Sequence, residues 1–157
     1  GLSKIEVQKL AYFLQEAGEN LKLQFKKHTY GPYADALRHA LNRMDGHYIH
    51  GVGDGVVESE IRPIDSALDD AKQYLATSNQ EINSRIQKVS DLIEGYQSPY
   101  GVELLSTVHW VIKQEGASSP EDAHKAIQQW NDRKKELMTY QHVATAWNRL
   151  QHNGWLQ

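Results

Sequence analysis

Helix caps followed by apolar stripes set the strongest limit on how this chain can fold. Ser3 and Glu6 match a capping box, and Ser98-Pro99 and Ser119-Pro120 each place a capping hydroxyl before a proline at the first helical position. Behind each cap, apolar residues recur every three or four positions, as they do on one face of an amphipathic helix. This pattern predicts a chain that is mostly α-helical.

The stripes also give the expected architecture. They cover residues 3–18, 37–44, 65–76, 82–93, 98–112, 119–127 and 139–153. With the short strands described next, they predict one mostly α domain over residues 1–157, with six or seven helices and a small antiparallel sheet. At 157 residues without a cysteine, the chain needs no disulfide, which suits a reducing cytoplasm. The start of the chain lies directly in a helical pattern, and we expect it to be a segment of a longer protein.

Short extended segments separate some of the helices. Alternating apolar residues at 21–25 predict a half-buried strand, and residues 30–33 predict a turn. Residues 47–55 are interpreted as a strand that runs into a glycine-rich loop. Residues 56–61 are expected to pair back as a hairpin before Pro63.

Charge is unevenly distributed, although the formal net charge is only −3. Residues 1–44 carry seven Lys/Arg and four Asp/Glu, residues 45–94 carry four and ten, and residues 95–157 carry six of each. Between residues 45 and 70, Arg62 alone opposes seven acidic side chains. A field of that sign attracts a basic partner and repels nucleic acid, although a solvated acidic surface would have the same composition.

The sequence contains no recognisable catalytic, metal-binding or cofactor-binding motif. None of the eight histidines has HExxH-like spacing. The cluster Gly51-Val52-Gly53-Asp54-Gly55 lacks GxGxxG spacing and contains an acid that would repel a pyrophosphate, so a hairpin loop is the better interpretation. Glu58 and Glu60 would share one strand face, which is commonly the solvent side. We therefore expect no enzyme, no metal and no cofactor, and the lack of a long apolar run predicts no membrane partner.

A winged-helix-like nucleic-acid-binding or regulatory domain is the main alternative. Three lysines and two tyrosines between residues 22 and 33 form a small basic and aromatic cluster. Residues 139–156 resemble a recognition helix followed by a wing. However, Arg149 is almost the only cation there, and phosphate-driven affinity requires several. Direct nucleic-acid binding is therefore not expected.

Three groups of residues carry a resemblance to a known family. They are Lys9-Leu10-Ala11-Tyr12-Phe13-Leu14-Gln15, then Tyr30-Gly31-Pro32-Tyr33-Ala34 with Leu37, and then Asp45-Gly46-His47-Tyr48-Ile49. This arrangement resembles the C-terminal toxin-binding domain of DarG, the macrodomain antitoxin of the DarT–DarG system, and is similar to Panacea-type antitoxin domains. The match is dense over residues 4–76 and thinner after that.

The resemblance implies an antitoxin domain, without the macrodomain, that binds a DarT-like DNA ADP-ribosyltransferase toxin in a 1:1 complex. The acidic segment suggests how, since a toxin that holds single-stranded DNA needs a positive groove with stacking surfaces. Carboxylates would take the place of phosphates there, and a tyrosine ring would replace a base. The predicted contact residues are Asp54, Glu58, Glu60, Asp65, Asp69, Asp70 and Tyr48.

Overall fold

A computed structural model describes the backbone of residues 2–44, 49–50, 60–63 and 80–156, and the side chains of residues 2–41 and 80–156. These ranges contain seven helices and five short strands, which confirms the mostly α prediction. The helices are α1 (Lys4–Glu16), α2 (Asp35–Met44), α3 (Gln80–Ile93), α4 (Pro99–Glu115), α5 (Pro120–Gln128), α6 (Asp132–Leu137) and α7 (Tyr140–His152). The strands are β1 (Leu2–Ser3), β2 (Lys26–His28), β3 (Gly31–Tyr33), β4 (Ile49–His50) and β5 (Glu60–Pro63).

The helix starts follow the predicted caps. Ser3 Oγ accepts the backbone N–H of Glu6 at 3.2 Å, and the Glu6 carboxylate accepts the N–H of Ser3 at 3.1 Å, which completes the capping box. Ser98 and Ser119 cap α4 and α5, each ahead of a proline. Each such cap stabilises its helix by about 1 kcal/mol. The six-residue helix α6 was not predicted, because it is too short to show an apolar stripe.

The strand predicted at residues 21–25 is wrong. Lys22 has a φ of +56°, which interrupts an extended run. The side chain of Gln15 occupies both backbone groups of Leu23, accepting from its N–H and donating to its carbonyl at 2.9 Å each. With these groups satisfied, the segment needs no strand partner.

The strands that do form near this segment lie a few residues later. β2 pairs antiparallel with β3, with Lys26 opposite Tyr33 and His28 opposite Gly31. The turn therefore falls at Thr29 and Tyr30, and the turn predicted for residues 30–33 lies mostly within a strand.

The second predicted hairpin is present with shifted bounds. β4 pairs antiparallel with β5, Ile49 lying opposite Pro63, and β5 also pairs with β1, Ser3 lying opposite Glu60. The sheet order is β1-β5-β4. The helix predicted at residues 65–76 and the glycine-rich loop lie outside the described residues.

Helix α4 lies at the centre of the molecule, packed against α1, α5, α7 and β3. Every residue from 101 to 109 is buried. Leu105 and Val108 pack with Phe13 of α1 and Leu150 of α7 in the apolar core. Each fully buried side chain of this size contributes about 1.5–3 kcal/mol. Polar groups on α4 are thereby fixed in the interior, where they meet the hairpin and α6.

The 17 residues of α4 make it the longest helix in the described ranges. Over those ranges, no helix has the length and apolar character required to span a bilayer.

Candidate functional site

The family motif on α1 holds the next extended segment through side-chain hydrogen bonds. Gln8 donates to the carbonyl of Ala34 at 3.0 Å and accepts its N–H at 2.9 Å. Gln15 makes the same pair of bonds with the backbone of Leu23, beyond the end of the helix. Lys9 Nζ donates to the carbonyl of Pro32 at 2.6 Å. Gln8 and Lys9 are buried, so the motif residue Lys9 and its neighbour Gln8 fix the position of the β2–β3 hairpin from inside.

A buried ionic cluster lies beneath the hairpin, formed by Lys9, Glu103, Arg133 and Lys134. The Glu103 carboxylate accepts from Lys134 Nζ at 2.5 Å and from Arg133 at 2.6 Å. Lys9, Glu103 and Lys134 are all at most 1% exposed. The pKa of Lys9 is lowered to about 7, first by burial, which favours the neutral amine, and then by Lys134, while Glu103 opposes the shift. Burial also lowers the pKa of Lys134.

A cavity of about 140 Å³ opens between the start of α1, the β2–β3 hairpin and α2. Lys9 and Arg38 line it together with His28, Tyr30 and Tyr33. The imidazole of His28 stacks on Tyr33, with the ring centroids 4.6 Å apart. We call this space the hairpin cavity.

Gly31 allows the hairpin to approach the ionic cluster closely. Its φ is +105°, a conformation that residues with a Cβ rarely adopt. A Cβ at this position would lie 3.1 Å from Thr107 Oγ1 and 3.4 Å from Lys9 Cε. The glycine of the family motif therefore has a packing role as well as a conformational one.

The basic and aromatic cluster predicted near residues 22–33 is engaged within the protein. Lys27 Nζ lies 4.5 Å from the centroid of the Trp130 ring, and Trp130 Nε1 donates to the carbonyl of His28 at 2.8 Å. Arg133 lies over the Tyr30 ring at 4.4 Å. These contacts join the hairpin to α6 and to Trp130 just before it, and they hold Lys27 and Arg133 against aromatic rings of the protein itself.

The C-terminal segment does not form a wing. Trp155 is buried, and its ring lies 5.3 Å from Phe13 and 6.0 Å from His109 in edge-on contacts. Val143 and Leu150 of α7 are fully buried in the same core. Helix α7 therefore packs its apolar face on the core, and the residues that follow it are held there by Trp155.

The predicted partner-contact residues fall almost entirely beyond the part that the structure describes. Glu60 is the first residue of β5, where its backbone pairs with Ser3, and its side chain is not described. The others, all outside the described residues, are Tyr48, Asp54, Glu58, Asp65, Asp69 and Asp70. This contact set remains a prediction.

Comparison with known proteins shows that the chain is similar in sequence to part of three proteins that share one name. It is 47% identical over 133 residues to a protein of Thermus aquaticus named DNA ADP-ribosyl glycohydrolase. Over 156 residues it is 36% identical to proteins of the same name from Mycobacterium bovis and Mycobacterium tuberculosis. The alignments cover 85% and 96% of this chain but 37% and 44% of the relatives, so the chain spans less than half of their length. No family model matches it.

The chain is thus related to DNA ADP-ribosyl glycohydrolases, and the relation to DarG that the motifs suggested is confirmed at this level. Its correspondence to the toxin-binding domain stays a prediction.

The prediction that the chain is not an enzyme is wrong, because the relatives that it matches are named for a hydrolytic activity. That prediction came from a search for motifs of fixed spacing. Groups that meet only in the folded protein leave no such spacing in the sequence. Lys9, Tyr30 and Glu103 illustrate the difficulty. Lys9 lines the hairpin cavity with Tyr30 and interacts electrostatically with Glu103, yet the three lie far apart in the sequence and none was selected as a site residue.

A sequence signal for two of these residues was present. Glu103 stands inside the apolar run of α4, and Lys9 precedes the apolar residues Leu10 to Leu14. A charged residue within an apolar stripe indicates a buried ion pair or a functional group, because an unpaired buried charge is costly. The identity of the partners, however, depends on the tertiary fold.

Proposed function

We propose that this chain is the part of a DNA ADP-ribosyl glycohydrolase that binds a DarT-like DNA ADP-ribosyltransferase and neutralises it in a 1:1 complex. The observation that carries the proposal is the 47% identity over 85% of the chain to a protein of that name. Such a hydrolase reverses the product of such a transferase. A segment that also captures the transferase would oppose the same modification twice.

The structure favours different roles for the motif residues, which shape the scaffold, and for the acidic segment, which would contact the partner. The motif residues Lys9 and Gln15, together with Gln8 beside them, bond to the protein's own backbone, so they set the shape of the scaffold. Residues 51–59 lie between β4 and β5, and β5 is attached to β1 at the start of α1. Asp54 and Glu58 therefore stand between two paired strands in the sequence, and Asp65, Asp69 and Asp70 follow the second of them. This proximity to one small sheet favours the acidic segment as the part that meets a partner.

In this proposal the acidic segment enters the DNA-binding groove of the transferase. Carboxylates spaced along the segment would occupy the positions of DNA phosphates, and Tyr48 would stack where a base stacks. Opposite charge on the two surfaces accelerates association more than it lengthens the lifetime of the complex. The inhibitor would accordingly compete with single-stranded DNA.

The proposal is tested with the whole chain and a purified DarT-like transferase. Calorimetry should give one site per transferase, and the chain should block ADP-ribosylation of single-stranded DNA. Reversing Glu58, Asp65 and Asp69 to lysine should weaken binding about 100-fold, mainly through slower association. A matched control reverses three exposed acids outside the acidic segment, Glu81, Glu94 and Glu136, and should bind like the parent.

Two results would count against the proposal at different levels. If the chain fails to bind the transferase at micromolar concentration, the neutralising role is wrong. If it binds and the triple reversal has no greater effect than the control, the mimicry mechanism alone is wrong. Release of ADP-ribose from modified DNA, measured on the same samples, tests the activity that the relatives are named for.

A further inference from the structure

The hairpin cavity has the size of a site for a small group. Its volume of about 140 Å³ exceeds the space that one ordered water requires. It is also below the roughly 300–1,000 Å³ of clefts that hold whole drug-sized ligands. The cavity therefore suits a compact polar group, with part of whatever carries it.

The charged side chains that line the hairpin cavity are basic in the described part of the chain. Lys4, Lys9 and Arg38 line it, and its described lining contains no carboxylate. The nearby carboxylate of Asp35 interacts electrostatically with Arg38 and His28, but it is paired with Lys26 at 2.9 Å. The hydrogen-bond partner recorded for Lys9 is a neutral carbonyl, that of Pro32.

The neighbouring ionic cluster does not supply a free carboxylate to balance the basic residues of the cavity. Its carboxylate, Glu103, is already shared by Arg133 and Lys134 at 2.6 and 2.5 Å. Among the side chains described in this cluster, three basic groups therefore face a single carboxylate, and one of them, Lys9, has a pKa lowered to about 7. An anion in the adjoining cavity would offset the excess positive charge.

The remaining lining supplies donors and rigid walls. Tyr30, Tyr33 and Thr29 carry hydroxyl groups, and His28 adds an imidazole. Arg133 covers the ring of Tyr30, and His28 stacks on Tyr33, so two of the walls are fixed by packing. Cations beside hydroxyl donors are the groups that bind a tetrahedral oxyanion, which accepts several hydrogen bonds at once.

We propose that the hairpin cavity binds a phosphate monoester group, with Lys9 and Arg38 supplying the opposing charge. The group comes either from inorganic phosphate or from a nucleoside monophosphate, which share this chemistry. The site is separate from the transferase-binding role, since its described lining lies on α1, α2 and the β2–β3 hairpin and not on the predicted contact segment.

One consequence separates this site from general anion attraction. Lys9 is about half protonated near pH 7, because its pKa is lowered to about 7. A phosphate beside it favours the ammonium form, so binding above pH 7 should take up a proton. Protons taken up on binding are measured by calorimetry in two buffers of different ionisation enthalpy.

The experiment titrates the whole chain with inorganic phosphate and, separately, with adenosine monophosphate, at pH 8 and constant ionic strength. We expect binding with proton uptake, a loss of at least tenfold in affinity in Arg38→Gln, and no proton uptake in Lys9→Met. Lys125→Gln, which removes an exposed cation of α5, is the matched control and should bind like the parent. If Lys9→Met does not fold, Arg38→Gln and the proton count of the parent still decide the question.

The two ligands identify the source of the phosphate. Tighter binding of the monophosphate than of inorganic phosphate, by tenfold or more, assigns the site to a nucleotide, and equal affinities assign it to phosphate itself. The proposal is overturned if neither ligand shows binding at concentrations up to about 20 mM, which corresponds to a binding free energy of only about 2 kcal/mol. It is also overturned if Arg38→Gln binds as the parent does, or if no proton is taken up.

Discussion

Glu103 is the residue on which the buried ionic cluster depends. Its carboxylate faces Lys134, which is fully buried, and Arg133, whose side chain is 34% exposed. Glu103→Gln keeps the volume but leaves two cations without their counter-charge. Since breaking a buried pair costs about 3–5 kcal/mol, we expect a loss of that size in the free energy of unfolding, measured by urea denaturation.

Glu115 provides the control for this prediction because it lies on the same helix. It pairs with Lys27 at 2.8 Å, and the two side chains are 31% and 40% exposed. Solvent screens such a pair, so Glu115→Gln should cost less than about 1 kcal/mol. Equal effects of the two substitutions would mean that the cluster around Glu103 is solvated rather than buried.

At the scale of elements, α1 organises the strand-poor segment that follows it. Gln15 bonds to both backbone groups of Leu23. In Gln15→Ala the Leu23 N–H and carbonyl therefore lose their protein partner and must hydrogen-bond to water instead. We expect a loss of about 1–3 kcal/mol and exchange of the Leu23 amide hydrogen that is at least tenfold faster.

Gln87→Ala is the matched control, because the Gln87 side chain is exposed and bonds to Asp91 on the same helix at 2.8 Å. It should change stability by less than about 0.5 kcal/mol. Unchanged exchange at Leu23 in Gln15→Ala would show that the glutamine does not hold this segment.

The elements also show where sequence reasoning succeeds. Caps and apolar stripes are local, so the bounds of α1, α4 and α7 could be predicted within a few residues. Residues 21–25 alternate like a strand, yet a side chain from α1 satisfies the backbone there. That interaction joins positions on different elements and leaves no local pattern. The hairpin cavity could not be predicted for the same reason, because its basic side chains come from two separate helices, α1 and α2.

At the scale of the whole molecule, the core closes around a histidine. His109 of α4 receives the hydroxyl of Tyr12 at Nδ1, at 2.7 Å, when the ring is neutral with its proton on Nε2. The rings of Phe13 and Trp155 contact it edge-on. Elements from both ends of the chain therefore meet at one titratable group.

This arrangement makes stability depend on pH. Burial lowers the pKa of His109 from 6.5 to about 4, with smaller contributions from Lys113 and Lys88. Between these values the unfolded chain binds a proton that the folded chain does not, so unfolding becomes easier as the pH falls. The loss is fully developed near pH 4 and amounts to about 3 kcal/mol, from about 1.4 kcal/mol per unit of pKa.

The measurement compares urea unfolding at pH 7.5 and pH 4.5 in the parent, in His109→Met and in His152→Gln, which changes an exposed histidine. His109→Met should be less stable at pH 7.5, because the hydroxyl of Tyr12 loses its partner. Its stability should nevertheless fall about 2–3 kcal/mol less than that of the parent between the two pH values, whereas His152→Gln should follow the parent. Parallel pH dependence in all three proteins would mean that His109 takes up its proton as readily in the folded core as in the unfolded chain.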